Sequence, residues 1–184
     1  MMMRMICGAA VAAAMLIGVG GSASAADIIK LDAEKSKVGF VGTKTDGKHA
    51  GGFKKFKADA MADYENPAAG TLEITIDATS LWSDDEKLTN HLKNPDFFDV
   101  RKYPTIVFKA TKITADEESA KLTGQLTMLG KTVEVTVPAK VEANDEDITL
   151  TTEFKIDRTK WGMNYGEGKI DNEVAISAVL VFDR

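Results

Sequence analysis

From Val38 to Phe182 the chain alternates apolar and polar positions with a period of two. That spacing puts one face of a strand in a core and the other in water. Leu72, Ile74 and Ile76 share one face, while Thr71, Glu73, Thr75 and Asp77 share the other. Val133, Val135 and Val137 alternate with Glu134 and Thr136, and Ala139 and Val141 extend the row. Ile148, Leu150, Thr152, Phe154 and Ile156 make another row. Val38 with Phe40, Ile106 with Phe108, and Leu122 with Leu126 and Met128 mark three more. β-Branched residues crowd these runs, which favours strands over helices. Turn chemistry separates them at Asp46-Gly47, Asn66-Pro67, Leu129-Gly130-Lys131 and Asn144-Asp145. Short strands joined by short turns predict an all-β fold, an antiparallel barrel or sandwich.

Two segments depart from the alternation. The run from Val174 to Phe182 is apolar on both faces, with Val174, Ile176, Leu180 and Phe182 on one side and Val179 and Val181 on the other. Such a strand needs outside cover, and a helix packed there would supply it. The second segment reads as the one helix of the chain. Ser83 is placed to cap it, Asp84, Asp85 and Glu86 suit its positive end, and Leu88 and Leu92 share a face. Pro95 stops it.

The N-terminus changes the picture of where the protein works. Arg4 is the only charge before Asp27, an apolar stretch runs from Ile6 to Gly20, and Ala23-Ser24-Ala25 supplies small-x-small cleavage chemistry. Residues 1–25 are therefore expected to be a cleaved signal peptide, with export to the periplasm. The apolar run is too short for a stable membrane anchor. Removing 25 of the 184 residues leaves a single domain of 159, residues 26–184, and removes Cys7, the one cysteine. Disulfides and thiolate catalysis are then excluded, so stability must come from a buried core. The formal net charge of −5 becomes −6 without Arg4. An acidic chain without a basic cluster is a poor nucleic-acid binder.

Candidate chemistry is sparse. The two histidines, His49 and His91, fall in different elements, and there is no HExxH pair, Gly-x-Ser-x-Gly elbow or phosphate loop. Asp84-Asp85-Glu86 is explained by the helix dipole, and 144–147 lacks the spacing and glycine of a calcium loop. No enzyme, metal or cofactor is expected; a hydrolase acting on a bound lipid would have to rest on His91. The aromatics say more. Phe40, Phe53, Phe56, Phe97, Phe98, Phe108, Trp161 and Tyr165 fall near strand ends or in connections, where they either pack a core or line a ligand. Two adjacent aromatics in an irregular segment do not both fit a compact core, so Phe97 or Phe98 should face a pocket. Trp161-Gly162-Met163 reads as a second apolar lip, with Gly162 allowing a close turn and Met163 adapting to shape. Arg158 either fixes its loop by a salt bridge or cation–π contact, or donates to a polar head group.

Several motifs occur in a specific order: Ser36-Lys37-Val38-Gly39-Phe40, Gly51-Gly52-Phe53-Lys54-Lys55-Phe56, Ile74 to Ser80, and Leu88 through His91-Leu92 and Asp96-Phe97-Phe98-Asp99 to Tyr103-Pro104. Gly124-Gln125-Leu126-Thr127 and Arg158 to Gly162 complete the series. Together they resemble the YceI-like family, periplasmic lipocalin-like barrels that bind polyisoprenoid lipids. Lys35-Ser36 stands where that family often has His-Ser, and 43–49 is less apolar than its second strand, which leaves the ligand's head group open. The resemblance implies an antiparallel lipocalin-like β-barrel of about eight strands, with the short helix packed outside it or at its mouth. It implies a binding protein whose partner is a long-chain isoprenoid, quinone or similar apolar molecule, with homodimerisation compatible. Residues expected to meet that ligand are Phe40, Phe53, Leu88, His91, Leu92, Phe97, Phe98, Phe108, Leu126, Met128, Arg158, Trp161 and Met163. The competing reading is an envelope stress-response or interaction module with a filled core and no lipid.

Overall fold

The computed structural model describes residues 26–116 and 118–184. The expected signal peptide, residues 1–25, lies outside the described residues. Ten strands follow in order: β1 (Asp27–Lys44), β2 (Gly47–Phe53), β3 (Phe56–Ala62), β4 (Thr71–Asp77), β5 (Leu81–Ser83), β6 (Thr105–Ala115), β7 (Ser119–Met128), β8 (Lys131–Ala143), β9 (Asp147–Asp157) and β10 (Ile170–Asp183). One α-helix, α1 (Glu86–Leu92), stands between β5 and β6.

Every pairing is antiparallel, and β1, β3, β4 and β6 to β10 close an eight-stranded barrel. The closing pair, β1 with β10, runs from Lys30 opposite Asp183 to Lys44 opposite Ile170. β2 and β5 are additional: β2 pairs with the second half of β1, and β5 pairs with β2. They carry β3 and β4 onward past a break at Lys54-Lys55, where the Ser80 hydroxyl accepts both lysine N–H groups at 3.1 and 3.0 Å. This extension builds one end of the barrel, the mouth. The other end, the floor, holds the β3–β4, β6–β7 and β8–β9 connections.

Packing explains three local choices. The chain pairs β8 with β9 only over Lys140–Ala143 and Ile148–Thr151, and then the two strands part. Pro138 is the cause: its carbonyl accepts the Thr152 hydroxyl of β9 at 2.5 Å, so its backbone faces β9, where proline has no N–H to continue the ladder. Thr152, the polar member of an apolar row, caps the fork. Gly51 and Gly124 are the second choice. A Cβ on Gly51 would lie 2.4 Å from the Phe40 ring and 2.6 Å from the Trp82 carbonyl, and one on Gly124 would lie 2.5 Å from the Lys109 carbonyl and 2.8 Å from the Phe108 ring. Only glycine lets these two rings lean against the wall.

The third concerns cover and caps, where the structure differs from expectation. The helix does not cover the outer face of β10. Val181 is buried there, and its N–H donates to Ser36 Oγ at 2.9 Å from a bulge in β1 between Asp32 and Lys37. Asp85, not Ser83, caps α1, accepting the Leu88 N–H at 2.7 Å. Ser83 still belongs to β5, and its N–H donates to Thr89 Oγ1 at 2.8 Å.

Candidate functional site: an apolar lumen open at one end

The barrel is hollow. A cavity of about 420 Å³ runs along its axis between two buried clusters, one packed at the floor and one at the mouth. The inward rows of the alternating strands make its wall: Leu72, Ile74 and Ile76 from β4, Val135, Val137 and Ala139 from β8, Leu150, Phe154 and Ile156 from β9, and Val174, Ile176, Ala178 and Leu180 from β10. Period-two placement on a closed sheet sends every second side chain inward, and here nearly all of these are hydrocarbon. At the floor the lumen is shut by Ile29, Ala60, Ala120 and Phe182, each at most 9 % exposed.

The mouth is roofed by α1, the segment that follows it and the loop before β10. Leu88, His91 and Leu92 of α1 line the cavity together with Phe97 and Phe98. The helix therefore sits at the mouth, not outside the barrel. Phe98 packs edge-on against Phe53 with ring centroids 5.8 Å apart, and Phe40 lies 6.0 Å from Phe53 and 6.2 Å from Phe98. A second aromatic group joins the two sides of the rim. The His91 ring meets Phe97 at 5.0 Å and Tyr165 at 4.9 Å, both edge-on, and Phe97 lies 5.2 Å from Tyr165. Such pairs hold rings in place by about 0.5–1.5 kcal/mol beyond their buried area.

Among the described residues, the basic groups that line the cavity, Lys44, His49, His91 and Arg158, lie at its mouth end. His91 Nε2 is 2.9 Å from Asp96 Oδ2, and His49 Nδ1 is 2.9 Å from Asp84 Oδ1. Asp84 also accepts the Ala50 N–H at 2.9 Å. That backbone bond, followed by His49, holds its carboxyl below the usual carboxylate range. These bonds tie β2 to the start of the roof. The two histidines thus serve separate struts, and among the described residues no three His, Cys, Asp or Glu side chains group as a metal site.

Arg158 is 2 % exposed, and among the described residues it makes neither the salt bridge nor the cation–π contact expected of it. Its Nε donates to the Asp171 carbonyl at 3.0 Å, Nη1 to Met163 at 2.6 Å and Nη2 to Ile170 at 3.1 Å. The guanidinium clamps the loop before β10 onto the end of β9. Burial pushes its pKa below the ordinary value, and the neighbouring Asp157 acts in the opposite direction.

Of the thirteen residues expected at a ligand, the lumen brings twelve together: Phe40, Phe53, Leu88, His91, Leu92, Phe97, Phe98, Phe108, Leu126, Met128, Arg158 and Met163 all line it. Trp161 does not. It is 2 % exposed, packed in the mouth-end cluster, and its indole Nε1 donates to the Leu126 carbonyl at 2.9 Å. It is therefore no flexible lip. It ties the 3-10 turn Arg158–Trp161, at the end of β9, to β7 past the unpaired half of β8. Gly162 does make the close turn expected, at φ 90°. The sequence does not mark Thr43, Lys44, His49 and Ile170 as ligand-facing, yet they also line the mouth. The wall rows could have been added from their alternation alone. Tyr165 stands among the aromatics that the sequence leaves between core and ligand, and it lines the mouth.

The fold and cavity define a lipocalin-like class: a closed antiparallel barrel around an apolar lumen, roofed at one end. The family profile of the YceI-like domain matches residues 29–182, and the chain belongs to this family. Protein YceI of Escherichia coli O157:H7 is 35 % identical over 97 residues, as is the UPF0312 protein of Pseudomonas aeruginosa strain LESB58. Each alignment takes in 53 % of this chain and 51 % of the relative, so the chain spans about half the length of the curated relatives it matches. The crystal structure of Burkholderia cenocepacia BcnA is 32 % identical with a TM-score of 0.77, covering 82 % of this chain and 98 % of that one. A polyisoprenoid binding domain from Saccharophagus degradans, 16 % identical with a TM-score of 0.68 over 84 % of this chain and 97 % of that one, shares the fold.

Proposed function

We propose that this chain is an exported, periplasmic binding protein that holds a polyisoprenoid, quinone or similar long apolar molecule inside its barrel, for transport, storage or sequestration. The observation that carries the reading is the lumen itself, about 420 Å³ of nearly unbroken hydrocarbon wall with every charged group at its mouth. Water gains little in such a space, and a hydrocarbon tail gains about 0.8 kcal/mol per buried methylene before ordering costs. The tail goes in first, because the floor is sealed by Phe182 and its neighbours while the rim offers Thr43, Lys44, His49 and Tyr165 to a polar head. Nothing in this task calls for a bond to be made or broken, and no catalytic role is assigned. The filled-core alternative requires a lumen closed by side chains, which an open cavity disfavours. The similarity to a fold named for polyisoprenoid binding in another organism points the same way.

Native mass spectrometry of the purified protein, before and after organic extraction, tests the proposal. A mass excess that leaves with the solvent and returns on adding a prenol or quinone is the expected result. A protein that is apolar-ligand-free as purified and takes up none of these compounds would end it.

A further inference from the structure

We infer that residues 164–169 form a gate over the mouth with Tyr165 as its latch, and that a ligand enters and leaves by parting Tyr165 from the roof. This rests on the binding reading above and adds how the lumen is reached. The base of the gate is fixed. One guanidinium, that of Arg158, donates to Met163 at the start of the segment and to Ile170 and Asp171 at its end. Both ends are thereby pinned to the same buried group, and Met163 is itself buried. What lies between them can turn while those three bonds stay made.

The segment has the hinges for such a turn. Gly166 and Gly168 sit at positive φ, 71° and 75°, a region that glycine enters and leaves without the Cβ penalty of other residues. Lids swing on a few loop positions of this kind. The Lys169 and Ile170 N–H groups both donate to the Gly166 carbonyl at 2.9 Å, which makes a tight turn of the second half and an arm of Asn164 and Tyr165. Both arm residues are exposed, Tyr165 by 46 %. Its ring nevertheless reaches across the mouth to His91 at 4.9 Å and Phe97 at 5.2 Å. These ring contacts join the segment to the roof.

The roof is the stationary side. Leu92, Phe97 and Val100 are buried, the Phe98 and Val100 N–H groups donate to the Leu92 and Lys93 carbonyls, and Asp84 ties its start to His49 and Ala50. Moving the roof would expose buried apolar side chains. Moving the segment costs two ring contacts at the surface, so the gate opens on that side.

Stopped-flow fluorescence of a dansyl-labelled prenol, entering and leaving the purified protein, tests the gate. Tyr165→Ala should raise the association and dissociation rates together by about 5- to 100-fold, the rate equivalent of two lost ring contacts. Loss of a ligand contact alone would speed dissociation and leave association where it was. Tyr165→His sets an imidazole beside His91, which already meets Asp96. Zn²⁺ bound there should slow both rates by about tenfold or more, with EDTA reversing the effect and wild type unmoved. Calorimetry establishes that the zinc is bound. Rates unchanged in Tyr165→Ala, a change confined to dissociation, or bound zinc that slows neither rate overturns the gate and leaves the binding function standing. A wild-type protein that binds no prenol or quinone overturns both.

Discussion

Replacing Arg158 with methionine isolates what the clamp contributes, because Met keeps a long flexible stem and removes the five-donor fork. Three carbonyls lose their donor: Met163 in a buried bond, and Asp171 and Ile170 in partly buried ones. An orphaned buried carbonyl costs about 1–3 kcal/mol. The two that water can reach lose only the net value of a hydrogen bond, about 0.5–1.5 kcal/mol each. Against this stands relief from burying a cation that has no carboxylate partner, an effect of a few kcal/mol that cancels part of the loss. A net destabilisation of about 1–2 kcal/mol is expected, which in a domain of this size lowers Tm by roughly 2–8 °C. Urea unfolding followed by far-UV circular dichroism measures it, with the slope unchanged because the exposed surface is unchanged. Arg158→Lys should recover little, since three rotatable donors on a point charge do not reproduce the planar fork. A methionine variant within about 0.5 kcal/mol of wild type would refute the claim that these three bonds hold the loop.

Trp161→Phe removes the indole N–H and its bond to the Leu126 carbonyl and leaves a small void; a loss of about 1–3 kcal/mol in urea unfolding is expected, and an unchanged midpoint would refute the claim that this bond ties the turn to β7. Acid should weaken the fold through Asp77 and Asp157, whose carboxyls are held below the ordinary value of 3.8 chiefly by the Thr79 and Thr159 hydroxyls. Because each binds its proton less tightly folded than unfolded, its stabilisation is complete above the unfolded pKa and is lost as pH falls through the lower folded one. The stability gap between wild type and Asp77→Asn/Asp157→Asn should therefore be constant above about pH 5 and close below about pH 4, and a gap that persists at pH 2 contradicts the assignment.

Much of the lumen was legible because a strand's period is indivisible: once Leu72, Ile74 and Ile76 face one way, the closed sheet decides that they face the axis. The same holds for the β8, β9 and β10 rows. Long-range partners were not legible. Whether Trp161 is lip or plug depends on a carbonyl 35 residues away, and the cover over Val181 comes from Ser36, 145 residues earlier. Neither pairing leaves a periodic trace. Pro138 could be read as interrupting a strand, but the seam it opens depends on which neighbour its backbone faces, and the pairing with β9 decides that. The extra strands β2 and β5 were hidden for a related reason: residues 43–49 are polar because they form an exposed hairpin at the mouth, beyond the barrel proper.

A hollow barrel gives up the densest part of its core, and the architecture places the compensation at the two ends. Lumen walls lack partner atoms on one side and forgo dispersion contacts that a filled core would make. At the floor that loss is offset by a tight layer around Phe182, and at the mouth by Trp161, Arg158 and the aromatic pairs that fix the roof. Stability and cavity are thus separated along the axis. Side chains at mid-depth, such as Ile74, Ile176 and Ala178, are then freer to vary in shape than those at either end. Changes there alter what fits, whereas changes at Phe182 or Trp161 alter whether the barrel stands at all.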